Sequence, residues 1–328
     1  MTFRTLARLA TAFALGIGLA LAGSLAHAQA YPTKPIRLVV PYPPGGGTDF
    51  FARTLSTKLS ENLGQQVVVE NRPGAATTVG AEAVAKSAPD GYTILLGDTA
   101  TFAVNPSLYK KLPYDPLTSF EPISLTGRFA LLLVVHPSVQ ASNVAEWIAL
   151  ARAKPGALNY ASPGPGSPHH LAMELLRQRA DVKLVHVPYK GAAPAMQDLL
   201  GGQIPTMFLD FATGAPQVKA GKIRAIAVAS PKRLAPMPEL ATIAESGFAG
   251  YEAWAWQGLV APAGTPREII ARLGSEYARA INDAVVRQKI VDAGIDPLQS
   301  SPEEFSGYIR SEQGKWAKVV KDGNITVE

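Results

Sequence analysis

The sequence predicts an α/β protein of two lobes facing one cleft, each lobe a mostly parallel sheet flanked by helices. Three observations predict it. Short apolar, β-branched runs alternate with helical patterns, the order that gives parallel strands with helices on the sheet faces. Two strand ends open into loops rich in Gly and Pro that run straight into helix starts, at 41–49 and 162–170. Roughly 300 residues follow an N-terminal leader, more than one hydrophobic core usually organises.

In chain order, residues 36–40 (Ile-Arg-Leu-Val-Val) read as a strand that Pro41, Pro43 and Pro44 end. Gly45, Gly46 and Gly47 permit backbone angles that a side chain forbids. Thr48 or Asp49 can cap a helix whose apolar residues are Phe51, Leu55 and Leu59, with Gly64 as its stop. A strand, a glycine loop and a helix start aim free N–H groups and a positive dipole end at one spot. That spot suits an anion, a carboxylate as well as a phosphate. A tight turn with no ligand explains the glycines equally well. Residues 67–69 form the next strand, 78–86 a helix, and 92–96 a third strand followed by Gly97-Asp98-Thr99-Ala100-Thr101. In open parallel sheets ligands sit at the carboxyl ends of strands. Residues 105–116 read as a proline-punctuated surface stretch.

Further strands are expected at 131–135, 158–161, 182–187, 206–209, 223–229 and 256–261. Helices are expected from Ser142 or Asn143 to Ala151, from Ser167 through Leu176, from Pro194 to Gly201, at 266–284 and at 302–320. Ser167 stands at an N-cap and Pro168 at the first helical position it prefers. The chain crosses between lobes near 127–130 and returns near 251–256. The expected division is a leader at 1–30, one lobe of 31–127 plus 254–328, and a second of 128–253.

Arg4 and Arg8 precede an apolar stretch at 9–21, and Ala26-His27-Ala28 and Ala28-Gln29-Ala30 offer small-x-small cleavage sites. These mark residues 1–30 as a removed secretory signal peptide, which places the mature protein in the periplasm. Zero cysteines exclude disulfides and thiolate metal sites. Lys and Arg number 31 against 26 Asp and Glu, and without the two leader arginines the excess is +3. A charge so small and dispersed argues against nucleic acid or membrane partners. No metal or other cofactor is called for.

No catalytic constellation assembles. The nucleophile elbow Gly-x-Ser-x-Gly is absent around Ser162 and Ser167. The Walker motif fails because no Lys follows the first glycines, and Gly-x-Gly-x-x-Gly fails at Phe50. His169 and His170, as neighbours on a helix, point about 100° apart and are poor joint metal ligands. Asp98 and Asp210 can pair as acid and base only if the fold brings them together.

A run of motifs resembles a known family. Pro-Tyr-Pro-Pro-Gly-Gly-Gly-Thr-Asp (41–49), Val-Val-Val-Glu-Asn-Arg-Pro-Gly-Ala (67–75), Pro-Asp-Gly-Tyr-Thr (89–93), Asn-Pro-Ser-Leu-Tyr (105–109), Leu-Pro-Tyr-Asp-Pro (112–116), the loop at 161–171, His-Val-Pro-Tyr-Lys-Gly (186–191), Lys-Ala-Gly-Lys-Ile-Arg-Ala (219–225) and Gly-Leu-Val-Ala-Pro-Ala-Gly-Thr-Pro (258–266) occur in this order. Together they are similar to the solute-binding receptors of tripartite tricarboxylate transporters, the Bug-type periplasmic binding proteins, over essentially the whole mature chain. The resemblance implies a type II periplasmic-binding fold that closes on its ligand like a flytrap. It implies a small organic carboxylate as ligand, delivered by a monomeric receptor to the membrane permease subunits of such a transporter.

By position, the resemblance implies ligand contacts from Tyr42, Gly46, Gly47 and Asp49, and from Thr99 after the third strand. It implies Ser162, Gly166, Ser167 and His170 from the second loop, Tyr189 and Lys190 from the next, and Asp210 as a specificity candidate. One departure lies at 75–80, where relatives often carry more glycines and this chain has Ala75-Ala76-Thr77-Thr78-Val79-Gly80. Arg128 at the crossover can clamp a second carboxylate or form a salt bridge between lobes, and Trp254 and Trp256 read as packing. Two other functions remain open: an exported ligand-sensing component for a membrane kinase, and a Ser hydrolase using Ser167 and His170.

Overall fold

The first glycine loop joins β1 (Ile36–Val40) to α1 (Gly47–Leu63), and β2 (Val67–Asn71), α2 (Thr78–Ala85) and β3 (Thr93–Asp98) follow. The structure is a computed structural model that describes residues 31–326; the expected signal peptide lies outside them. β1 pairs in parallel with both β2 and β3, the strand–helix–strand order the sequence predicts. α1 buries Phe51, Leu55, Leu59 and Leu63 as one stripe and ends at Gly64 in the left-handed region, φ 67°. β3 is buried at every residue, which is why it reads as a continuous apolar run.

β3 leads into a buried π-helical turn, Ala100–Val104, and the expected surface stretch at 105–116 opens with the short α3 (Asn105–Leu108). Tyr114 donates to the Thr101 carbonyl at 2.8 Å and accepts from Asn105 Nδ2 at 3.1 Å.

β4 (Phe120–Val135) runs for 16 residues, of which the sequence pattern revealed only the apolar end. Pro122, Gly127 and polar Ser124, Thr126 and Arg128 disguise the rest, and two register shifts, between Pro122 and Ser124 and between Leu125 and Gly127, absorb them. The first part of β4, Phe120–Ala130, pairs with β9 (Trp254–Pro262); the second, Leu131–Val135, pairs with β7 (Thr206–Asp210) and β8 (Arg224–Val228). β5 (Asn159–Ser162) lies parallel to both β6 (Val185–Pro188) and β7. β10 (Ile295–Pro297) pairs with β4 at Gly127–Phe129. The sheet order is β2-β1-β3-β9-β4-β7-β5-β6. Each half therefore has three parallel strands rather than a mostly parallel sheet. The antiparallel pairs arise because β4 leaves the first half as β9 re-enters it.

In the second half α4 (Val144–Ala153), α5 (Pro168–Ala180), α6 (Ala192–Leu200) and α7 (Phe211–Lys219) cover the strands. α7 was not legible, because Gly214 and Pro216 lie inside it. The expected helix at 266–284 is α8 (Arg267–Ile281), and α9 (Ala284–Asp292) follows a break that Asp283 caps, accepting from Val285 and Val286 N–H. α10 (Pro302–Asp322) starts on a capping box, Ser301 with Glu304.

The first half is centred on an aromatic cluster. Phe102 stacks on Trp256 at 6.1 Å, and Phe305 of α10 meets Phe102 edge-on at 5.8 Å. Both Trp256 and Trp316 donate to Glu312, at 2.7 and 2.8 Å. Gly258 in β9 is required here, since a Cβ would stand 2.0 Å from Phe305 Cζ. Gly258→Ala should lower stability by about 1–3 kcal/mol through overpacking. A urea midpoint unchanged from the parent would refute this account of the cluster.

Candidate functional site

The first loop is built by hydrogen bonds to its own backbone. Asp49 accepts from Gly45 N–H at 3.2 Å, from Arg53 Nε at 3.0 Å and from Asn71 Nδ2 at 3.0 Å. Burial pushes the Asp49 carboxyl up, but these donors outweigh it and hold it below its ordinary value. Asn71 also donates to the Tyr42 carbonyl at 3.0 Å. Of the three glycines only Gly45 needs a left-handed backbone, φ 92°. The α1 N-cap is Gly46, not Thr48 or Asp49, and it carries no side-chain cap. The acceptor comes from far away: Asp210, at the end of β7, takes the Gly47 N–H at 3.1 Å. Gly47 is needed for room, since a Cβ there would stand 2.8 Å from the Asp210 carboxyl.

The second loop also spends its side chains on itself. Ser167 caps α5, accepting from His170 N–H at 3.3 Å and donating to the Gly164 carbonyl at 2.7 Å. His170 Nδ1 accepts from Gly166 N–H at 3.0 Å, which leaves the proton of the neutral ring on Nε2. The His170 ring stacks on His186 at 3.9 Å. Burial, the His186 ring and then Arg177 bring His170 down to about 3. Burial brings His186 down to about 4 against the opposing pull of Glu174. Ser162 Oγ lies 2.7 Å from His186 Nε2 and accepts from Gly164 N–H at 3.1 Å.

Two cavities open between the loops. The inner one, about 40 Å³, is lined by Tyr42, Gly46, Thr48, Asp98 and Gln257 from the first half and by Pro163, Pro168, His169 and Asp210 from the second. The outer one, about 540 Å³, lies between Tyr42, Pro43, Gly74–Thr77 and Tyr109 on one side and Gly164, Ser167, Tyr189 and Lys190 on the other. Tyr42 donates to Asp98 Oδ2 at 2.7 Å. Burial raises the Asp98 carboxyl, although Tyr42 and the Thr101 N–H and hydroxyl pull it back. Burial pushes Asp210 up as well. The His169 ring and the Gly47 amide more than offset it and hold Asp210 below the ordinary carboxylate value. His169 Nε2 approaches Asp210 Oδ1 to 3.3 Å, but the alignment is too poor for a hydrogen bond.

Of the residues expected in a site, Tyr42, Gly46, Ser167, Tyr189, Lys190 and Asp210 line these cavities, and Gly47 touches Asp210. Tyr189 is anchored by a 2.6 Å bond to Asp198. The others line neither cavity. Asp49 faces Arg53 and Asn71 behind the first loop. Thr99 exchanges hydrogen bonds with the Trp256 backbone. Ser162 and His170 are spent inside the second loop, and a Cβ at Gly166 would strike Leu108 Cδ1 at 2.3 Å. Ser167 and His170 share no side-chain contact of the kind a nucleophile and base need, since each is committed to the loop backbone. Arg128 pairs with Asp296 at 3.1 Å and lies over Trp254, away from either cavity.

Four polar side chains of the inner cavity, Thr48, Asp98, His169 and Gln257, were not among the site residues expected from sequence. The fold does bring Asp98 and Asp210 to one cavity. His169 rather than its neighbour His170 faces the cleft; only one of the two can, and the helix's rotation is not legible in sequence. Gln257 and Thr48 join by a side-chain hydrogen bond. The one signal for Gln257 is its polar side chain in the apolar run of β9. At the departure noted above, Ala75, Ala76 and Thr77 all adopt positive φ, 44°, 47° and 76°. Such backbone is uncommon without glycine. Asn105 Nδ2 holds the Ala76 carbonyl at 2.7 Å, and the turn lines the outer cavity.

Comparison with known proteins places this geometry in context. Residues 51–325 match the model of a family described as the tripartite tricarboxylate transporter family receptor. A protein encoded in the tcbD–tcbE intergenic region of Pseudomonas sp. strain P51 is 39% identical over 309 residues, 93% of this chain and 92% of its own length. The structure of the periplasmic binding protein BugD is 35% identical, covers 90% of this chain and 99% of its own, and superposes with a TM-score of 0.85. An R. palustris protein solved with adipate gives 0.87 at 36% identity over 90% and 100%. MatC from Rhodopseudomonas palustris, solved with bound malate, gives 0.83 at 31% over 88% and 100%. The architecture is the two-lobed periplasmic-binding fold.

The stacked His170–His186 pair generates a pH dependence. Both rings bind protons less readily folded than at the ordinary value of 6.5. Between about 6.5 and 4 the unfolded chain therefore takes up protons the native state refuses, and stability falls as pH falls. His186→Phe, which keeps a ring but cannot titrate, should flatten this slope by up to ~1.4 kcal/mol per pH unit. Parallel slopes for parent and variant in urea titrations from pH ~7 to ~4 would contradict it.

Proposed function

The chain belongs to the tripartite tricarboxylate transporter receptor family, and we propose that it captures a small organic carboxylate between its two lobes and delivers it to the membrane permease of such a transporter. Adipate and malate in the cited relatives support the ligand class. One observation in this chain carries the reading. Gln257 Oε1 and both ring nitrogens of His169 are buried at the inner cavity with no hydrogen-bond partner among the described residues. Buried polar groups are normally satisfied, so a cavity that leaves them open calls for a polar guest. The guest's contacts come from both lobes, and it stabilises the closed arrangement by bridging them.

The proposed contacts are Tyr42, Gly46, Thr48, His169 and Gln257 around the inner cavity and Ser167, Tyr189 and Lys190 around the outer one. The lobe boundaries at 127/128 and 253/254 are supported by the change of β4's partners after Ala130. The receptor acts as an exported monomer in the periplasm, released by removal of its leader. Among the described residues no helix is long and apolar enough to cross a membrane.

Titration calorimetry and thermal unfolding with mono-, di- and tricarboxylates test this. At a hundredfold excess over its dissociation constant, a cognate acid should stabilise the protein by about 2.7 kcal/mol. Gln257→Ala should weaken binding by about 1–3 kcal/mol. A folded protein indifferent to every acid would remove the proposal.

A further inference from the structure

The anion site at the start of α1 is already filled by the protein itself. Asp210 Oδ2 accepts from Gly47 N–H at 3.1 Å, and the missing Cβ at Gly47 is what lets the carboxyl in. A helix start favours a negative charge beside it. Here that charge is tethered to the opposite lobe. The inner cavity next to it carries a second carboxyl, Asp98, and no Lys or Arg of the described residues lines it. Lys190 lines only the outer cavity. Open polar atoms on two further side chains add to this pattern. Gln257, 2% exposed, presents an open acceptor, and His169, 8% exposed, presents one acceptor and one donor when neutral. The inner cavity is thus rich in acceptors, and among the described residues no Lys or Arg lines it.

We propose that Asp210 is the specificity determinant of this cleft. It stands in for a second ligand carboxylate, so the receptor takes a monocarboxylate whose far end carries a small hydrogen-bond donor, a hydroxyl or an ammonium. This rests on the receptor reading above. The acid end lies in the outer cavity against Lys190, and the donor end reaches the inner one. A space of about 40 Å³ suits one such group or a few waters. A second carboxylate there would lose its water beside Asp210, which already occupies the His169 ring, and gain no Lys or Arg in return.

The test is calorimetric titration of the purified protein with two length-matched series. One is succinate, γ-hydroxybutyrate, γ-aminobutyrate and butyrate; the other is adipate, ω-hydroxycaproate, ε-aminocaproate and caproate. The expected result is that a donor-ended acid binds at least ~10-fold tighter than the dicarboxylate and the plain acid of its series, about 1.4 kcal/mol. Asp210→Asn, which keeps the shape and an acceptor for Gly47 but loses the charge, should narrow the gap to the dicarboxylate at least ~10-fold. Circular dichroism checks that the variant is folded. A dicarboxylate or plain acid bound as tightly as the donor-ended one overturns the inference on the parent protein alone. An unchanged ratio in a folded Asp210→Asn overturns it as well. Silence toward both series also overturns it, and the wider acid panel then decides whether the receptor reading falls too.

Discussion

The first amides of a helix have no partner within it, and a buried start must find acceptors elsewhere. At α1 the acceptor for Gly47 is a carboxylate carried by β7, 163 residues along the chain. This contact joins the two lobes at the floor of the cleft. It sets how closely β7 approaches the first glycine loop, and so how much room the inner cavity keeps. It also fixes the local charge, because Asp210 is held ionised by the His169 ring and the amide while Asp98 nearby is pushed toward its neutral form. Two carboxyls of the same type thus face one space with their proton affinities shifted in opposite directions, each by its own neighbours.

Both glycine loops follow a common economy. Their polar side chains are consumed in shaping their own backbone: Asp49 in the first, Ser162, Ser167 and His170 in the second. What remains to face the cleft is peptide backbone, a few tyrosine and proline rings, and polar groups brought in from neighbouring strands and helices. The strained turn at Ala75–Thr77 is held in the same way, by side chains of Asn105 and Thr101.

Much of the fold was legible because its signals are local. The β1 and β3 runs, the stripe of α1 and the Ser167–Pro168 helix start each declare themselves within a few residues. β4 did not, since Pro122 and Gly127 break the pattern and only the pairing with β9 makes sense of them. α7 failed for a similar reason at Pro216. The site was less legible than the fold. The two loops were found, and Tyr42, Gly46, Tyr189, Lys190 and Asp210 do line the cleft. Thr99, Ser162, Gly166 and His170 do not, because sequence proximity to a loop does not say which way a side chain turns. His169 differs from His170 by one step of helix rotation. Asp98 and Gln257 meet Asp210 only through the order of strands, which is information held between distant segments.

The long shared strand has a mechanical consequence. β4 is about 53 Å from end to end at ~3.3 Å per residue, and it runs inside each lobe's sheet in turn, between β9 and β10 and then between β7 and β8, without a loop between. Any relative motion of the lobes must be taken up by flexing this strand and β9, with the irregular register near Gly127 as the softest place. The same continuity ties their fates in denaturation. Peeling residues 131–135 of β4 from β7 frees a strand that continues without a break into the residues that anchor β9, so loss of one lobe strains the other.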